Sequence, residues 1–72
     1  MKVTPIQSMQ DWEARKTSLS EAASILGYSK PNYLSAALSR GDLRLSRYRL
    51  GKYTYLDRDE ILEVIKSRRI PA

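Results

Sequence analysis

The sequence predicts a small α+β domain: a winged helix-turn-helix of three to four short helices with a two-stranded β-hairpin wing. Three observations predict it. Two apolar stripes of helical period, in "SLSEAASILG" and "KPNYLSAALSRG", are joined by a short turn that carries a glycine. "RYRLGKYTYLD" places strand-forming residues on both sides of Gly51-Lys52. A third stripe, "EILEVI", follows an acid suited to starting a helix.

At 72 residues the chain is one domain, close to the size below which a core needs staples. Residues 1–7 hold a proline and little periodicity and read as a flexible arm; residues 8–72 form the domain. There is no cysteine, hence no disulfide and no thiolate metal site. There is no histidine either, which removes Ser-His-Asp and Cys-His catalysis from this chain. Binding is expected rather than catalysis, with no metal and no cofactor. A net charge of +5 directs attention to polyanions. "MKVTPIQSM" lacks a signal-like apolar stretch and no run reaches membrane length, so a soluble, cytoplasmic protein is expected.

The elements follow in order. Ser8 can cap a short helix from Met9 to Arg15, with Asp11 three residues on and Trp12 as its large apolar group. Ser18 or Ser20 caps the next helix, where Leu19, Ala22, Ala23 and Leu26 share a face and Gly27 ends it. Ser29 is expected to cap the following helix, with Pro31 in its first turn, Leu34, Ala37 and Leu38 inward, and Gly41 closing it. Ser46–Leu50 and Tyr53–Asp57 then form a hairpin around Gly51-Lys52, glycine first as a type II′ turn requires. Pairing Leu50 with Tyr53 and Tyr48 with Tyr55 groups Tyr48, Leu50, Tyr53 and Tyr55 on the side expected to face the helices. Arg47, Arg49 and Thr54 take the other side, with Leu56 turning back to the core. Asp57 begins the last helix, with Glu60 completing a capping box. The expected core is Trp12, Leu19, Ala22, Ala23, Leu26, Leu34, Leu38, Tyr48, Leu50, Tyr55, Leu56, Ile61, Val64 and Ile65.

The outer side of the helix over residues 30–40 carries Asn32, Ser35, Ala36 and Ser39. A helix that enters the major groove needs small or flat polar groups there, since the groove is only about 12 Å wide. Asn32 suits an adenine edge, Ser35 and Ser39 suit bases or phosphates, and Ala36 suits a thymine methyl. Lys30, Tyr33 and Arg40 flank this row as phosphate contacts. Arg47, Arg49, Lys52 and Thr54 give the wing a basic face for a minor groove or backbone. Lys16, Ser18 and Ser20 are further phosphate candidates. No arginine stands squarely on the outward helix face to grip guanine, so one copy should discriminate sequence weakly and rely on charge and DNA shape.

These segments, "SLSEAASILGYS", "YLSAALSRGDL" and "RYRLGKYTYLDRDEILEVI", resemble the winged-helix excisionase family, close in fold to the DNA-binding half of MerR-type regulators. The resemblance spans residues 18–65, and "MQDWEARK" is similar to the tryptophan-containing lead-in of several excisionases. The joint "GYSKPNYL" is one residue longer than the usual family joint and resembles AraC-type activators in that detail; those lack the wing. The resemblance implies a recombination directionality factor. Such a protein binds double-stranded DNA at the attachment site of a prophage or mobile element, lines up in copies, bends the duplex and helps a site-specific integrase excise it. A small repressor or regulator using the same surface is the alternative reading, and an antitoxin or adaptor module the other.

Other signals have simpler explanations. Asp57, Asp59, Glu60 and Glu63 cluster where a helix start favours acids. Arg40-Gly41-Asp42 spells an adhesion tripeptide, but a helix-ending glycine accounts for it. The five tyrosines could stack bases, yet three lie in the hairpin, where packing is the better use.

Overall fold

The computed structural model describes residues 3–71; the first two residues of the expected arm, and Ala72, lie outside them. Local chemistry starts and stops the helices. Ser8 accepts the Asp11 N–H at 3.0 Å and begins α1 (Met9–Arg15). Ser18 accepts the Glu21 N–H at 3.1 Å and begins α2 (Leu19–Leu26). Gly27 ends α2 in the left-handed region, φ 87°, and the Tyr28 N–H returns to the Ala23 carbonyl at 2.8 Å. Gly41 ends α3 (Pro31–Arg40) the same way, with the Asp42 N–H on the Ala37 carbonyl at 3.0 Å. Both are Schellman closures, which require a residue that tolerates positive φ.

The start of α3 departs from expectation. Lys30, not Ser29, is the N-cap, and no side chain caps this helix. Pro31 at the first helical position is the reason: it drives the preceding residue into extended backbone, and Lys30 sits at φ −142°, ψ 149°.

The hairpin is β2 (Arg47–Leu50) and β3 (Tyr53–Asp57), with Leu50 opposite Tyr53 and Tyr48 opposite Tyr55 as the sequence predicts. Ser46 stays outside the strand. Gly51 has φ 61° and no other residue type has positive φ among the described residues, which fits a type II′ turn. A third strand, β1 (Lys16–Ser18), was not expected. It pairs antiparallel with β3, giving the order β1-β3-β2.

Register decides what each face of this sheet meets. Residues directly opposite share a face, so Thr17, Arg47, Arg49, Thr54 and Leu56 stand together. Leu56 and Thr17 are buried, and Leu56 belongs to the core with Ala22, Ala23, Leu34, Leu38, Leu43, Ile61 and Val64. The arginine face is therefore the one turned toward the main helical core, with Leu56 at its base and no twist required. The tyrosine face is turned the other way. There Trp12 of α1 meets Tyr48 and Tyr55 edge-on, at 5.4 and 5.6 Å between ring centroids. Trp12, Tyr48 and Tyr55 thus form a second cluster, separated from the main core by the sheet. Leu50 is 51% exposed and Ile65 44% exposed, so neither is core. Leu43, in the loop after α3, takes a core place instead, and Leu19, Leu26, Tyr28 and Leu45 pack around the margin.

Two long-range polar contacts fasten α4 (Arg58–Ser67). Asp57 is wholly buried; it caps α4 through the Asp59 N–H at 3.0 Å and binds the Arg15 guanidinium at 3.0 and 2.5 Å. Arg15 also donates to the Thr4 carbonyl at 2.7 Å, tying the segment before α1 to this pair. The expected capping box does not close: Glu60 turns away from Asp57 and accepts from Ser46 N and Oγ at 2.7 and 2.9 Å. Two donors that precede β2 are a better match for its carboxylate than one backbone N–H already at a strand end. No described helix is long and apolar enough to cross a membrane.

Candidate nucleic-acid interface

The wing and the helix pair meet at one cleft of about 410 Å3. Ser18, Leu19 and Ser20 at the start of α2, Pro31 at the start of α3, and Lys52, Tyr53, Thr54 and Tyr55 of the hairpin line it. This follows from the sheet order: β1 stops at Ser18, opposite Tyr55, so the outer half of β3 has no partner on that edge and the two helix starts approach it. No acidic residue lines the cleft. Four sequence candidates, Ser18, Ser20, Lys52 and Thr54, are brought together here beside the first turn of α3.

Ion pairing sorts the remaining cations. Each of the eight acidic side chains already has an internal partner: Asp11 the Gln7 N–H, Glu13 Lys16, Glu21 Arg58, Asp42 Arg40, Asp57 and Asp59 Arg15, Glu60 Ser46, and Glu63 Lys66. Among the described residues, the cations left without an acidic partner are Lys30, Arg44, Arg47, Arg49, Lys52, Arg68 and Arg69. Five of these seven lie between the start of α3 and the tip of the wing. Over residues 30–52 the one acid is Asp42, which pairs with Arg40, so the excess of cations in this stretch has no acid of its own to neutralise it.

The other candidates divide. Asn32 and Ser39 are exposed on α3, while Ser35 and Ala36 are half-buried, so the outward row is presented best at its two ends. Tyr33 is half exposed. Arg40 lies about 14 Å along α3 from Pro31 and is held by Asp42 at 3.1 and 3.0 Å. Exposed pairs of this kind contribute little, so a phosphate can displace the aspartate. Lys16 pairs with Glu13 at 3.1 Å on the tyrosine side of the sheet, away from the arginines. Ser18 is engaged as a cap, but that bond uses only its oxygen and leaves the hydroxyl proton to donate.

Three residues matter more than the sequence indicates. Tyr53 is 58% exposed at the wing tip, with the Lys52 ammonium 5.5 Å from its ring; the position directly after a two-residue turn was the available signal. Arg58 reaches from α4 to Thr17 and to Glu21, both at 3.4 Å, and so steadies the start of α2. Arg44 is exposed in the loop before the wing. No group of acids that could hold a metal ion occurs among the described residues.

Compared with known proteins, the chain matches no family model, no curated protein and no solved structure.

Proposed function

We infer that this chain is a double-stranded DNA-binding protein of the excisionase type. It binds attachment-site DNA beside neighbouring copies of itself, bends the duplex and assists a site-specific integrase in excising a prophage or mobile element. It acts by binding, without catalysis or cofactor, in the cytoplasm on the host nucleoid. The observation that carries this reading is the cleft, lined by no acid, at which the wing tip and the start of α3 meet, with the unpaired Lys52 in its wall and the unpaired Lys30 next in the chain to Pro31. Supporting it is the resemblance of residues 18–65 to winged-helix excisionases.

In this arrangement α3 enters a major groove with Asn32 near a base edge, and Lys30, Tyr33 and Arg40 hold the flanking phosphates. Arg47, Arg49, Lys52 and Thr54 follow the adjacent backbone or minor groove. Ser35, Ala36 and Ser39 line the approach, and Ser18 and Ser20 give hydroxyl donors to a phosphate. Most of the affinity then comes from charge, and bending supplies the rest of the selectivity.

The test is a gel shift on attachment-region duplexes, with wild type, Arg49→Ala and Asn32→Ala. Stepwise complexes that bend the DNA are expected. Arg49→Ala should weaken binding alike on all sequences and flatten the salt slope by about one unit. Asn32→Ala should relax preference at one base position, worth about 1–3 kcal/mol. A single complex on one palindromic promoter site would favour the repressor, and no binding at low salt would overturn DNA recognition altogether.

A further inference from the structure

At the far end of α2 from the cleft, the C-terminal turns of α2 and α4 enclose a second depression of about 550 Å3. Its floor is Ile25, Leu26, Val64 and Ile65; its rim is Lys66, Arg68 and Arg69. Ile25 and Ile65 are each 44% exposed, and both line this depression. The rim holds Arg68 and Arg69, the two unpaired cations that do not belong to the wing side. Lys66 meets only Glu63 of its own helix, at 3.6 Å on the surface, a pair of small value.

From this apolar floor with its cationic border, we propose that the α2–α4 groove docks an acidic amphipathic helix of another protein. The chemistry selects that occupant over the two others available. A DNA phosphate would satisfy the arginines but cover the isoleucines with nothing apolar, so half of the surface would be unused. A second copy of this chain could bring apolar groups, but its net charge of +5 would set cations against the cationic rim. A helix with aliphatic residues at i, i+3, i+4 and i+7 and glutamates on both flanks matches floor and rim together. The groove lies about 10 Å along α2 from Ser18 and Ser20. It therefore sits at the other end of α2 from the cleft, where it would give a DNA-bound copy a separate handle for a protein partner.

The experiment titrates the full 15N-labelled chain with a synthetic amphipathic peptide of about four turns, leucine on one face and glutamate on the flanks. The control peptide has lysine at every glutamate. Amide shifts should be confined to residues 25–26 and 64–69, and the acidic peptide alone should bind. Arg68→Glu with Arg69→Glu should weaken it at least tenfold and let the lysine peptide bind; Ile65→Ser should weaken it without loss of helical circular dichroism. Ile65→Ser should retain the wild-type gel shift, whatever that is. Equal binding of the two peptides, or of neither, overturns the proposal. So does a short duplex that produces the same shifts and displaces the peptide, or sedimentation showing a dimer of the chain that Ile65→Ser dissolves.

Discussion

The carboxylate of Asp57 ends β3, caps α4 and holds the Arg15 guanidinium, all from a fully buried position. Its hydrogen bond and charge hold Arg15 protonated above the ordinary guanidinium value. That value lies far above neutrality, so the arginine stays charged throughout the working pH range. Asp57→Ala should lose about 1 kcal/mol from the cap alone, and more because Arg15 is left without its acceptor. A urea melt should show a lower midpoint at unchanged slope; an unchanged midpoint would mean the contact is ornamental. Nearby, burial first and then the charges of Asp57 and Glu60 push the Tyr48 phenol above its ordinary value of 10.0. The sign follows from linkage: a raised folded-state value stabilises fully below the unfolded value and is lost as pH rises through the folded one. Stability should therefore fall above about pH 10, and Tyr48→Phe should flatten that fall while leaving the neutral-pH midpoint nearly unchanged.

Individual elements depend on turns that local sequence writes and on partners that it does not. Gly51 holds φ 61°, and a Cβ there would meet nothing within 4 Å, so Gly51→Ala tests backbone strain without a clash. It should destabilise the hairpin by about 1 kcal/mol and, on the proposed function, weaken DNA binding evenly, since a splayed wing would lose phosphate contacts. D-alanine at the same position, placed by chemical synthesis, should restore both; a failure of D-alanine to do so would assign the effect to something other than φ. This turn, its register, the caps at Ser8 and Ser18 and the stops at Gly27 and Gly41 were legible in the sequence because each is settled within a few residues. β1 was not: "KTS" has no strand period, and its pairing with Leu56 is a contact across most of the chain. Glu60 was misread because Ser46, fourteen positions back, outbids the local cap. The hairpin's facing was reversed for the same kind of reason, since which side Trp12 covers depends on where α1 settles. Of the candidate site, the wing arginines and the cleft-lining hydroxyls could be read as residue types in pattern. The excess of cations over residues 30–52, six against one acid, also stands in the sequence; which of them lack an acidic partner does not, because that depends on which acids find cations in three dimensions.

At the scale of the whole molecule, the fully buried large side chains are few: Leu34, Leu56 and Ile61, with Thr17 and Asp57 beside them. Burying a leucine or isoleucine is worth about 2 kcal/mol, against an entropy bill that grows with every ordered residue. A chain of 72 residues with so small an interior should be marginally stable by itself. Such a protein reports its ligand through its own melting. Anything that binds only the folded form adds stability by mass action, about 2.7 kcal/mol at a hundredfold excess over Kd. For a domain of this size that corresponds to an upward shift of roughly 10–20 °C. Duplex DNA at low salt should therefore raise the melting temperature strongly, and the gain should shrink as salt rises because the contacts release counterions. Arg49→Ala should show a smaller gain with a shallower salt dependence, whereas Arg68→Gln with Arg69→Gln should keep the wild-type salt dependence. The pattern would separate the two cationic regions in one measurement: on the proposed function the wing side should respond to duplex and the α2–α4 groove should not. Equal losses in both variants would mean that the positive charge acts as a uniform coat rather than as a shaped surface, and a melting temperature indifferent to duplex would remove DNA as the partner of the cleft.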